Sequence, residues 1–154
     1  MKQENIKLIR NQIDQKLKKY EALKLDEIPY GGWVFSFRIA VGMSLRQLGN
    51  RLGISTNSAR FIEVREKSGA ITIKALKRVA EVFDMEFFYG FIPRSKTLDE
   101  IVEKKAIDVA RDIVMRTSQS MNLEDQKNMN SRLERAIEER AKKIKEELPR
   151  YLWD

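Results

Sequence analysis

Residues 43–63, Met-Ser-Leu-Arg-Gln-Leu-Gly-Asn-Arg-Leu-Gly-Ile-Ser-Thr-Asn-Ser-Ala-Arg-Phe-Ile-Glu, constrain the fold more than any other stretch of the chain. Leu48, Leu52, Ile54, Ala59 and Ile62 are spaced to face inward from two short helices and to fix their crossing. Gly53 between them supplies the positive φ that a sharp turn needs, and Gly49 is small where the second helix must come close. Ser44 opens the first helix as an N-cap, with Gln47 three residues on completing a capping box, and Ser55 caps the second. The pattern predicts a helix-turn-helix.

The second helix of such a motif can lie in the DNA major groove. Here its first turn exposes Thr56, Asn57 and Ser58, short hydrogen-bonding side chains suited to base edges and phosphates. Arg60 lies a turn further along, within reach of a base or the backbone. Arg46 and Gln47 open the preceding helix, where side chains and N–H groups can meet a phosphate. Ser44, Arg51, Ser55 and Phe61 complete the candidate DNA-binding set. Phe61 suggests either apolar contact with thymine methyls or a changed docking.

The charge distribution agrees with a polyanionic partner. The chain of 154 residues carries a net charge of +7. Residues 44–78 hold eight Lys/Arg against Glu63 and Glu66 alone, whereas residues 94–154 hold fourteen against thirteen Asp/Glu. Positive charge is thus concentrated at the motif, as phosphate neutralisation requires. The absence of His and Cys removes the usual general base, the imidazole triad, thiolate metal sites and disulfides. No enzyme site is identifiable, and no cofactor or metal is expected. No run approaches the ~20 apolar residues of a membrane span. Met-Lys-Gln-Glu-Asn at the start lacks an apolar signal core, so a cytoplasmic location is expected.

Around the motif the periodicity is helical. Over residues 2–24, Ile6, Ile9, Ile13, Leu17 and Tyr20 form an apolar stripe, predicted to pack on the core or on a second subunit. Asp14 belongs to its polar face, and Pro29 with Gly31 and Gly32 marks a linker. A first core helix over residues 33–41 is expected to bury Trp33, Phe37 and Ala40 or Val41. Thr72 opens a helix to about Phe83. Residues 85–92, Met-Glu-Phe-Phe-Tyr-Gly-Phe-Ile, are short enough for a strand paired with the same segment of a second subunit; a buried loop or a helix extension is the competing reading. Thr97 and Glu100 form another capping box, with Ile101, Val102, Val109, Ile113 and Val114 on one face of the helix that follows. A last helix runs from about Leu123 to Glu147, stopped by Pro149.

The stretch from Ser44 to about Met85 resembles the Xre/Cro/phage-repressor family. The likeness rests on Gly53-Ile54-Ser55, Ala59-x-x-Ile62-Glu63 and the Thr72-Ile-x-x-Leu76 helix start. The resemblance implies that Glu63 makes structural hydrogen bonds inside the fold. Leu45 and Phe61 depart from the polar DNA contacts many members carry there. A second resemblance covers most of the chain. Trp33, Arg38, Ala40, Gly42-Met43-Ser44-Leu45-Arg46-Gln47-Leu48-Gly49, Phe87-Phe-Tyr-Gly-Phe-Ile-Pro93 and Leu152-Trp153 are similar to the family named mobile mystery protein A. That likeness implies an antitoxin-like regulator beside a Fic-domain protein, a class that commonly transfers AMP onto targets. It also implies a role for Ser120 and Glu124, whose spacing matches an inhibitory Ser/Thr-x-x-x-Glu helix, although Asp125 stands where Gly or Asn is usual. The alternative is a helix cap at Ser120 or Asn122.

The expectation is therefore an all-α protein with a lambda-repressor-like helix-turn-helix core over residues 31–93. An N-terminal arm and linker, 1–30, precede it, and a C-terminal helical region, 94–154, follows. The expected function is sequence-specific binding of double-stranded DNA by a homodimer on an inverted repeat, repressing its own operon. The alternative is a protein-interaction antitoxin that inhibits a Fic enzyme directly through its C-terminal helices.

Overall fold

A computed structural model describes residues 3–25, 27–118 and 126–154. Among them the regular structure is entirely helical. The helices are α1 (Gln3–Lys18), α2 (Trp33–Ala40), α3 (Leu45–Leu52), α4 (Thr56–Ser68), α5 (Ile73–Val82), α6 (Leu98–Ser118) and α7 (Gln126–Glu147), with 3₁₀ turns at Glu21–Leu25 and Arg150–Trp153. The chain divides into two compact units, one of Leu25–Gly90 and one of Met1–Lys24 with Phe91–Asp154. The N-terminal arm thus belongs with the C-terminal helices rather than standing by itself. No described helix is long and apolar enough to cross a membrane.

The unit of Leu25–Gly90 packs α2 to α5 around Val34, Leu48, Leu52, Ala59 and Val79, with Ile54, Ile62, Leu76 and Phe83 half-buried beside them. Val34 and Leu48 are fully enclosed, and each such side chain contributes roughly 1.5–3 kcal/mol by leaving water. The turn between α3 and α4 is as the residues require. Gly53 ends α3 at φ 69°. A Cβ on Gly49 would stand 2.9 Å from the Ile54 carbonyl oxygen, closer than packing allows. The α2 face differs from expectation. Val34 and Arg38 are buried, whereas Trp33, Ala40 and Val41 are exposed and Phe37 is half-buried. The helix is rotated because Arg38 points inward to a buried carboxylate, a partner that hydrophobic spacing does not register.

Residues 85–93 are neither strand nor helix. Phe88, Tyr89 and Phe91 are exposed, so the segment is no buried loop either. In a single chain an isolated extended segment has no ladder to join.

In the other unit, α6 and α7 form a hairpin whose contact is made of small residues. Ala106, Ala110 and Ala141 are buried with Val102 and Ile144, and Leu152 of the terminal turn closes the end. Alanine at these positions lets the two backbones approach closely. Helix α1 packs on α6, and only part of its apolar stripe lies on the buried side. Arg10 is buried and Asp14 half-buried, in line with the half-buried Ile6, Leu17 and Tyr20 of the stripe, while Ile9 and Ile13 are exposed. The reason is electrostatic. Asp14 accepts hydrogen bonds from the Leu98 and Asp99 amides at 2.7 and 3.4 Å, capping α6 from another helix. Arg10 pairs with Asp99 at 3.1 Å, and Lys145 of α7 reaches Asp99 and Glu103 at 2.7 and 2.8 Å. The expected box at Thr97 is only half made: Thr97 accepts from the Glu100 amide, but Glu100 reaches back to the Lys96 amide instead.

Candidate nucleic-acid interface

The candidate surface is built on α3, its turn and α4. Ser44 caps α3 in the full reciprocal arrangement: its Oγ accepts from the Gln47 amide at 3.2 Å, and Gln47 Oε1 accepts from the Ser44 amide at 2.7 Å. These two side chains are therefore first of all a helix cap, in which Gln47 uses its Oε1 and keeps Nε2 as a donor. Ser55 caps α4, accepting from the Ser58 amide at 3.1 Å and donating to the Ser58 hydroxyl at 2.9 Å. Ser58 is thus drawn back toward the cap, and Thr56 and Asn57 are the freer polar groups of the first turn.

All ten candidate residues, Ser44, Arg46, Gln47, Arg51, Ser55, Thr56, Asn57, Ser58, Arg60 and Phe61, are exposed. At 100° per residue, Ala59, Ile62, Glu63 and Glu66 define the inner side of α4. Asn57, Arg60, Phe61 and Val64 then fall on the opposite, outward side. Phe61 is 53% exposed and Val64 54%. Val64 was not among the residues singled out from sequence; its place one turn from Arg60 on the outward line was the available signal.

The electrostatics sharpen the basic character of this surface. Arg46, Arg51, Arg60, Arg65, Lys67, Lys74, Lys77 and Arg78, the eight cations of residues 44–78, are all exposed. The two acidic residues of that stretch turn inward. Glu63 forms a two-point pair with the Arg38 guanidinium, the Nη2 contact being 3.2 Å, and Arg38 Nη1 also donates to the Met43 carbonyl at 3.1 Å. Glu66 accepts from the Trp33 and Val34 amides, both at 2.9 Å, and so caps α2. Glu63 is thus matched by Arg38, and Glu66 is committed to the end of α2. Arg78 additionally donates to the Leu52 carbonyl, tying α5 to the end of α3.

Sequence reasoning did not find the Glu66 cap, because its partners lie 32 and 33 residues away. Ser120 and Glu124, the residues tied to partner inhibition, lie outside the described residues. Among the described residues no group of three or more acidic side chains is placed to hold a metal ion. No protein-family model, curated protein or solved structure matches the chain.

Proposed function

We propose that the chain is a sequence-specific DNA-binding regulator whose α3–turn–α4 segment is a helix-turn-helix of lambda-repressor type. The observation that carries the reading is the outward face of α4. It presents Thr56, Asn57 and Arg60, the last being one of eight exposed cations in residues 44–78, while Glu63 and Glu66 are held by contacts within the fold. Helix α4 enters the major groove with its N-terminal turn at base edges. Arg46 and Arg51 on α3 neutralise phosphates, and the Gln47 side-chain Nε2 donates to one. A homodimer would place two α4 helices about one DNA turn apart on an inverted repeat, in keeping with autorepression.

A mobility-shift assay with the DNA upstream of the gene tests the proposal, with random duplex as the control. Asn57→Ala is expected to cost about 1–3 kcal/mol on the specific site and little on random DNA. Equal loss on both removes the base-reading role, and no binding by the parent chain removes the proposal. The pairing with a Fic-domain partner rests on the family resemblance. Its test is a Glu124→Gly chain, expected to release AMP transfer by the partner; full suppression retained by that variant removes direct inhibition through Ser120 and Glu124.

A further inference from the structure

Phe61 and Val64 stand three residues apart on the outward side of α4, each more than half exposed. Phe61 has neither a stacked ring nor a cation over it among the described residues. Phe37 of α2, by contrast, packs against Trp33 and Phe83 at ring distances of 5.5 and 5.9 Å. The apolar pair is framed by Asn57 one turn before Phe61, by Arg60 beside it and by Arg65 next to Val64, all exposed. An apolar patch bounded by amide and guanidinium donors does not match a purely polar ligand, and its cationic frame opposes a basic one. The major groove offers an apolar feature between anionic strands: the 5-methyl group of thymine.

We infer that the outward face of α4 reads a thymine through its 5-methyl group, with Phe61 and Val64 enclosing the methyl while Asn57 addresses a nearby adenine. This deepens the proposed function and rests on it. The geometry suits two neighbouring base pairs. Asn57 and Phe61 are four residues apart, about 6 Å along the helix axis, so a helix inclined in the groove brings them to successive or next-but-one pairs. Asparagine is suited to the N6 and N7 positions of adenine in the same groove. The cognate half-site is thus a duplex with an adenine and a thymine within two base pairs, and its thymine is discriminated from cytosine and uracil by shape rather than by hydrogen bonding.

The test uses the full chain and its upstream duplex. Each thymine in the protected region is replaced singly by deoxyuridine, which removes the methyl and leaves the base pair intact. Wild type is expected to weaken about fourfold at one thymine per half-site, the loss corresponding to ~0.8 kcal/mol for one buried methyl-sized group. Phe61→Ala is expected to bind the thymine duplex more weakly and to be indifferent to that same replacement. Asn57→Ala is expected to keep the fourfold response. Because Phe61 lies on the surface, a thermal melt of Phe61→Ala matching wild type confirms that the fold is intact. DNA binding with no thymine sensitive to replacement overturns the inference and leaves the proposed function standing. A Phe61→Ala chain that binds DNA as wild type does also overturns it and assigns the apolar line to a protein contact. Absence of DNA binding by wild type overturns both.

Discussion

Glu63 and Glu66 lie one turn apart on the inner side of α4, yet they serve different elements. Glu66 supplies the cap that Gly32, lacking a side chain, cannot give to α2. Glu63 neutralises Arg38 where both side chains are only about a tenth exposed. Removing one member of such a pair leaves a buried charge without a counter-ion, which costs about 3–5 kcal/mol. Glu63→Ala should therefore lower unfolding stability by that amount in urea titration; a loss under about 1 kcal/mol would place the pair with ordinary surface bridges. Arg46 and Arg51 make the opposite case: both are exposed, and under the proposed function they would act on DNA rather than on the fold. Replacing either with Ala should reduce the slope of log affinity against log salt by about one while leaving the melting temperature unchanged. An unchanged slope means that the side chain touches no phosphate. The structural role of Glu63 was implied by a resemblance in the sequence, whereas that of Glu66 was not, because a carboxylate on a charged helix looks the same whether it faces water or a distant helix end.

At the scale of elements, α3 and α4 were legible down to their caps, and α1 only in part. The caps of α3 and α4 are made within three residues, so sequence spacing contains them. Helix α1 is positioned by Arg10 and Asp14, which meet the start of α6 some 84 to 89 residues away, and its own apolar stripe gave the face only in part, with Ile6, Leu17 and Tyr20 half-buried and Ile9 and Ile13 exposed. The same ion cluster sets a pH dependence. The hydrogen bond from Lys145 holds the Asp99 carboxyl below its ordinary value of 3.8, with burial opposing and the charges of Lys145, Arg10 and Lys7 assisting. Burial alone would lower Lys145, but its bonds to Asp99 and Glu103 and their charges raise it above 10.5. A lowered carboxyl stabilises the folded state above its unfolded pKa and ceases to do so as pH falls through the folded one. A raised lysine contributes fully below 10.5 and loses its contribution as pH rises through the folded value. Melting temperature should therefore decline on acidification through and below pH 3.8, and Asp99→Asn should flatten that decline. Parallel acid limbs for the two chains would show that Asp99 is not a source of it.

At the scale of the molecule, each unit carries its own core: α2 to α5 around Leu48 and Val79, and α6 with α7 around Ala106 and Ile144. Deleting residues 1–24 removes Arg10 and the Asp14 cap from α6, so amide exchange should speed up along α6 and α7. Protection at Leu48 and Val79 should stay as in the full chain; loss there would mean that the cores unfold together. By itself the sequence determined the helical class, the tight turn at Gly53, the caps at Ser44, Ser55 and Thr72, and the concentration of positive charge around them. These depend on neighbours within a turn or two of helix, or on counting. The tertiary structure decided which carboxylates are hidden, which side of α1 and of α2 is buried, and that the arm joins the C-terminal hairpin. Those outcomes depend on pairing across tens of residues, where a buried ion pair or a borrowed helix cap outweighs the local apolar pattern.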